Sequence, residues 1–156
     1  MILPEPEAVI FCGIQAAGKT TFYNRYFAAT HRHISLDVLK TKHRQNTLLE
    51  ECFSARVSFV LDNTNPTIEV RVPFLEAAQQ NGFRSVGYYF RSSLNEVLTR
   101  NNEREEKQRV PPVGIFATHK KLQLPSYDEG FDELFYVSLN EHFEYSIEKW
   151  RSERNP

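Results

Sequence analysis

Apolar residues fall along this chain in short blocks separated by longer amphipathic stretches, and that rhythm sets the expected elements. Residues 8–14, AVIFCGI, are a continuous apolar run closing around Gly13, the pattern of a central parallel strand buried on both faces. Residues 19–29, KTTFYNRYFAA, place their aromatics on one face and read as a helix. Residues 33–36 give a short second strand, and 37–55 a helix with a break near Gln45 and Asn46. VSFVL (57–61) is a third strand running into Asp62-Asn63-Thr64-Asn65. Pro66 suits the first position of the next helix, with Asn65 as its N-cap, and Asn81-Gly82 supplies the stop. SVGYYF (85–90) reads as a fourth strand and 94–104 as a charged helix. A loop through Pro111-Pro112 leads to a short helix ending near Leu122; LFYVSL (134–139) reads as the last strand and 141–151 as a closing helix. Strands alternating with helices predict an α/β fold, a parallel sheet flanked by helices on both faces.

Composition changes that picture little. The 156 residues are 40% hydrophobic and 25% charged, which suits one domain over 1–156 with a sizeable core. No apolar stretch approaches the roughly 20 residues of a membrane helix, and MILPEPEAVIF has no basic segment before its apolar run, so no signal peptide is expected. Cys12 and Cys52 sit in apolar contexts without metal-ligand spacing and read as reduced core residues of a cytoplasmic protein.

Charge is more informative in its distribution. The net charge of −1 argues against a general nucleic-acid coat protein. Segment 31–44 nevertheless sets Arg32, Lys40, Lys42 and Arg44 against Asp37 alone. Segment 100–121 carries Arg100, Arg104, Lys107, Arg109, Lys120 and Lys121 against three glutamates. Such runs are either solvated faces or an electrostatic footprint, and both flank the candidate site residues.

Gly13-Ile14-Gln15-Ala16-Ala17-Gly18-Lys19-Thr20 matches G-x-x-x-x-G-K-[ST] in full. Glycines let the backbone curl so that successive N–H groups point at phosphates, and the following helix adds its positive N-terminal end. Lys19 would reach the β- and γ-phosphates, and the Thr20 hydroxyl suits Mg²⁺. A P-loop NTPase is therefore expected, with residues 13–20, Thr21 and Arg100 as candidate nucleotide contacts. No N-K-x-D guanine-reading segment is present, so ATP is expected rather than GTP.

The acceptor side is read from position. Asp37 closes the second strand and should face the crevice beyond the carboxyl ends of the strands, where it could take a proton from an attacking hydroxyl; the alternative is a cap on a helix beginning at Val38. Lys40, one turn later, would share its face. Asp62 ends an apolar strand and could hold Mg²⁺ or orient the acceptor; it could also simply tie down its turn. Arg100-Asn101-Asn102-Glu103-Arg104, ahead of Val110-Pro111-Pro112, reads as a helix entering a short lid whose arginines neutralise transferring charge, or else as a solvated helix.

Taken together, Gly13 to Thr20, Asp37-x-x-Lys40, Val60-Leu61-Asp62-Asn63-Thr64-Asn65-Pro66, Arg100-Asn101-Asn102-x-Arg104, Val110-Pro111 and Glu129-Gly130-Phe131 resemble the kinase domain of polynucleotide 5′-kinase/3′-phosphatases. The resemblance covers about residues 8–139. It implies ATP and Mg²⁺ on Lys19 and Thr20, Asp37 as general base, Asp62 and Thr64 beside the acceptor, and Arg104 as the lid arginine. The implied acceptor is a 5′-hydroxyl nucleic acid end. Lys40 stands where the family has an arginine for the acceptor's neighbouring phosphate, a point charge in place of a planar fork. No D-x-D-G-T motif is present, so no 3′-phosphatase activity is expected. Two other readings stay open: a small-molecule or toxin-like P-loop kinase, and an ATP-binding regulator that transfers nothing.

Overall fold

The computed structural model describes residues 5–151; the first four residues of MILPEPEAVIF lie outside the described residues. The chain runs β1 (Glu7–Cys12), α1 (Lys19–Tyr26), β2 (Arg32–Ile34), α2 (Leu36–Leu39), α3 (Lys42–Ala55) and β3 (Phe59–Leu61). It continues through α4 (Ile68–Gln80), β4 (Arg84–Phe90), α5 (Leu94–Glu103), α6 (Pro112–Lys121), β5 (Glu133–Leu139) and β6 (Tyr145–Lys149). The strands form one sheet in the order β2-β3-β1-β4-β5-β6. The first five are parallel, and β6 joins β5 antiparallel. No helix among the described residues is long and apolar enough to cross a membrane.

The two-residue period of β1 explains why it is apolar throughout. Val9 and Phe11 enter one core with Phe22 of α1, Val97 of α5 and Ile115 of α6. Ala8 points to the other face, among Leu49 and Cys52 of α3 and Ala78 of α4, and Ile10 meets Leu75 of α4 there. The first core is aromatic, with Phe11 edge-on to Phe22 at 5.8 Å and to Phe90 at 4.9 Å between centroids. Each such ring contributes about 1.5–3 kcal/mol on burial. Gly87 interrupts the aromatic run of β4 because a Cβ there would lie 2.6 Å from both Leu134 and Phe131.

Several expectations are corrected. Residues 141–151 form no helix. The Asn140 carboxamide oxygen accepts the backbone N–H groups of His142 and Glu144, reversing the chain. Tyr145 and Ile147 then pair with Leu139 and Val137 of β5. The open edge of β5 offers a hydrogen-bond ladder that an exposed helix would leave unmet. The helix after β3 starts at Ile68, not Pro66: Thr67 is its N-cap and accepts from the Val70 N–H, while Asn65 is left-handed at φ 42°. The break in 37–55 falls at Lys40, whose φ is 74°, rather than at 45–46. There Thr41 caps α3 by accepting the Arg44 N–H, and Gln45 is a buried residue of an unbroken helix. The second strand ends at Ile34, so Asp37 lies in α2 instead of closing a strand.

Candidate active site

The chain leaves the carboxyl end of β1 through a loop whose glycines are required by geometry. Gly13 has φ 155°, and a Cβ on it would sit 3.0 Å from the backbone oxygen of Phe90. Gly18 has φ 95° and is crowded by Leu139 and Tyr145 at 3.1 Å. The Gly13 N–H donates to the Thr64 carbonyl at 3.0 Å, and the Ile14 N–H to the Ser92 hydroxyl at 3.1 Å. Among the described residues no protein group accepts the amides of Ala16, Ala17, Gly18 and Lys19, so these donors are left for a ligand. Lys19 folds back over the loop, its Nζ donating to the carbonyls of Gly13 at 2.9 Å and Ile14 at 2.7 Å. Burial pushes its ammonium down to about 8, opposed by the charge of Asp62; Arg104 pushes it further down and Asp37 pulls it up.

Asp62, buried at 5% exposure, directly follows β3 beside this loop. Its Oδ2 accepts the Thr20 hydroxyl at 2.8 Å and lies 2.8 Å from His33 Nε2. The His33 ring stacks on Tyr23 at 4.1 Å. The residues after Asp62 weave the loop into its surroundings. The Asn63 side chain accepts the Leu36 N–H and donates to Gln45, and the Asn65 side chain donates to the Phe11 carbonyl.

A cleft of about 320 Å³ brings together Gln15, Ala16, Gly18, Lys19, Thr20 and Thr21 of the loop with Asp37, Asp62, Thr64 and Arg104. Asp37 is exposed there in the first turn of α2. Among the described residues its carboxylate has no hydrogen-bond or ion-pair partner, and the N-cap position belongs to Ser35. Lys40 is not brought in. α2 ends at Leu39, so Lys40 turns away in a left-handed conformation instead of extending the face of Asp37, and it lines no part of the cleft. Arg104, at the end of α5, lines both this cleft and a neighbouring pocket of about 230 Å³. Arg100 lines the second but not the cleft, and its guanidinium donates to the carbonyls of Ala16 at 3.2 Å and Leu139 at 3.1 Å.

Other supporting residues were not apparent in the sequence. Arg71, fully buried in α4, makes a forked pair with Glu129 at 2.8 and 3.2 Å and donates to the Asn65 carbonyl at 2.9 Å, pinning the segment after Asp62. A lone arginine within IEVRVPFL was the available signal. Its third contact is Cys12 Sγ at 3.3 Å; burial pushes that thiol up to about 11, so Cys12 is an unreactive core residue. Gln15 Nε2 donates to Thr118 at 3.0 Å, tying the loop to α6. Tyr145, expected in a helix, donates its hydroxyl to the Gly18 carbonyl at 2.7 Å.

A strand, a glycine loop closed over a lysine, a helix and an acidic residue following a neighbouring strand define a P-loop NTPase domain with a kinase-like fold. The family described as AAA domain matches residues 37–123, more than half of the chain, and the chain belongs to that family. It is similar to the bifunctional polynucleotide phosphatase/kinase of Schizosaccharomyces pombe, 28% identical over 131 residues, covering 80% of this chain and 32% of that protein. It is also similar to a putative bifunctional polynucleotide phosphatase/kinase of Acanthamoeba polyphaga mimivirus, 29% identical over 155 residues, covering 93% and 36%. The chain thus spans about a third of the length of these relatives. A gluconokinase from Sinorhizobium meliloti 1021 shares the fold, with a TM-score of 0.60 at 16% identity, covering 87% of this chain and 84% of that one.

Proposed function

We propose that this chain, acting as a single P-loop kinase domain, transfers the γ-phosphate of ATP to the 5′-hydroxyl of a DNA or RNA end. The observation that carries this reading is an unpartnered carboxylate, Asp37, lining one cleft with Lys19, Thr20, Asp62 and Arg104. Phosphates would sit on the amides of residues 16–19 and the Lys19 ammonium. Asp37 accepts the proton of the attacking hydroxyl while that hydroxyl's oxygen forms a bond to the γ-phosphorus. The bond from that phosphorus to the β,γ-bridging oxygen breaks, and ADP leaves. Arg104, placed between the two cavities, neutralises charge on the moving phosphoryl group.

The Thr20 hydroxyl and the Asp62 carboxylate, 2.8 Å apart, are hard oxygen donors of the kind Mg²⁺ takes together with phosphate oxygens, so these residues fit the ion and would hold it. When bound, Mg²⁺ supplies charge neutralisation on the phosphates.

The similarity to two phosphatase/kinases over most of this chain supports the nucleic acid acceptor. The position of Lys40 outside the cleft favours a second reading, an acceptor without a phosphate beside its hydroxyl. A transfer assay with labelled ATP against 5′-OH DNA, 5′-OH RNA and a panel of small hydroxylated metabolites separates them. Labelled oligonucleotide is the expected product; label on a metabolite alone would replace the acceptor and keep the chemistry.

A further inference from the structure

β6 is a short, exposed edge strand, yet it delivers one side chain to the phosphate loop. Tyr145 is the first residue of β6 and stands directly opposite Leu139 of β5. Its ring packs edge-on against Phe22 of α1 at 5.0 Å, and the Arg25 guanidinium lies over it at 5.1 Å. Held on both sides, the phenol has its hydroxyl 2.7 Å from the Gly18 carbonyl, which also accepts the Phe22 N–H at 3.1 Å. The same rung serves a second contact, because the Leu139 carbonyl accepts from Arg100 at 3.1 Å while the other arm of that guanidinium reaches the Ala16 carbonyl at 3.2 Å. Both Ala16 and Gly18 have positive φ, 61° and 95°.

We infer that Tyr145 and Arg100 are positioning residues of the phosphate loop, a clamp built on the β5–β6 rung that fixes the Ala16 and Gly18 carbonyls on the side of the neighbouring pocket. A peptide's carbonyl and amide point in opposite directions. Fixing these two carbonyls therefore sets the orientation of the amides at residues 17 and 19 before a ligand arrives. A non-glycine residue in the left-handed region, such as Ala16, persists only where its surroundings enforce it, and Arg100 supplies that enforcement. The clamp lowers the ordering cost of binding phosphates, so its effect belongs to ligands that reach the loop. Arg100 thereby acts on the nucleotide through the loop backbone, with two donors already engaged.

This inference rests on the reading that the loop binds nucleotide phosphates, and the wild-type arm of its test separates the two. ATP, ADP and adenosine affinities are measured by calorimetry on wild type, Tyr145→Phe and Arg100→Lys. Amide exchange within residues 13–20 is followed in the nucleotide-free proteins. Tyr145→Phe keeps the ring and removes one hydrogen bond, so ATP and ADP should bind about 2- to 12-fold more weakly. Adenosine affinity should be unchanged and loop amides should exchange faster. Arg100→Lys, which has no fork to reach two carbonyls, should show the same pattern. Equal ATP affinity in wild type and Tyr145→Phe would overturn the clamp alone, as would parallel weakening of adenosine. A wild type that bound neither ATP nor ADP would overturn the nucleotide reading and the clamp with it.

Discussion

Glu129→Gln tests how the segment carrying Asp62 is held. The Arg71 side chain is 0% exposed and the Glu129 side chain 3%, so water screens neither charge. The carboxylate accepts Arg71 Nε at 2.8 Å, Arg71 Nη2 at 3.2 Å and the Ser126 N–H at 2.8 Å. Glutamine keeps the shape but turns one acceptor into a donor. Whichever way the amide is flipped, its NH₂ faces a guanidinium N–H, and the buried cation loses its counter-charge. Breaking a buried pair in this way costs about 3–5 kcal/mol. Against a typical total stability of about 5–15 kcal/mol, that is a large fraction. At about 2–4 °C per kcal/mol for a chain of this size, the thermal midpoint should fall by roughly 6–20 °C. Urea unfolding should give the same loss at an unchanged m-value. Arg71→Met with Glu129→Leu removes both charges and should recover most of it. A Glu129→Gln protein within about 1 kcal/mol of wild type, the level of an ordinary point substitution, would refute the assignment of Arg71–Glu129 as the brace of this segment.

Lys19→Ala removes the ammonium folded over the loop and should weaken ATP binding about 10- to 150-fold, the worth of charge-assisted hydrogen bonds; undiminished affinity in a calorimetric titration would end the phosphate-loop assignment. Arg104→Ala should leave the ATP dissociation constant within a few-fold of wild type. Single-turnover transfer by this variant should slow, by up to ~10³–10⁵ if Arg104 acts as an arginine finger does, whereas an unaltered rate would make Arg104 an ordinary surface residue. ATP affinity should also depend on pH. Burial holds the Lys19 ammonium at about 8 in the free protein, and bound phosphates favour the charged form and raise that value. Binding therefore takes up a proton above pH 8, and affinity should be level below about pH 8 and fall by up to about tenfold per unit above it. A flat profile to pH 9.5 would contradict this.

What the sequence revealed was local, and what it concealed depended on partners distant along the chain. The strand, glycine loop and helix of residues 8–26 are contiguous, and each is specified by its own residue types, so the P-loop was legible before any fold was known. The α/β class followed from apolar blocks that β1 and β4 bury on both faces. The strand character of 145–149 comes from the free edge of β5, which no local pattern announces. Pro66 misled because Asn65 takes a left-handed turn to reach the Phe11 carbonyl, moving the helix cap to Thr67. Lys40 was placed by helical spacing, and the helix ended one residue before it. Asp37 was expected at the crevice from its position after a strand; it sits in α2 and lines the cleft. The alternative of Asp37 as a helix cap gave way to Ser35, which occupies that place.

Asp37 is the proposed base in phosphoryl transfer to a 5′-hydroxyl. An exposed, unpartnered carboxylate can become Asn at a cost within about 0.5 kcal/mol of folding stability, and the change keeps the side chain's size while removing its negative charge and its capacity to accept a proton. The decisive measurement is the rate at which wild type and Asp37→Asn pass labelled phosphate from saturating ATP to a 5′-OH oligonucleotide, with ATP affinity determined in parallel. A loss of roughly 10²–10⁴-fold in transfer is expected, with ATP affinity within a few-fold of wild type. Transfer by Asp37→Asn at the wild-type rate would remove Asp37 from the chemistry, and a wild type that labels no 5′-OH oligonucleotide would contradict the proposed acceptor.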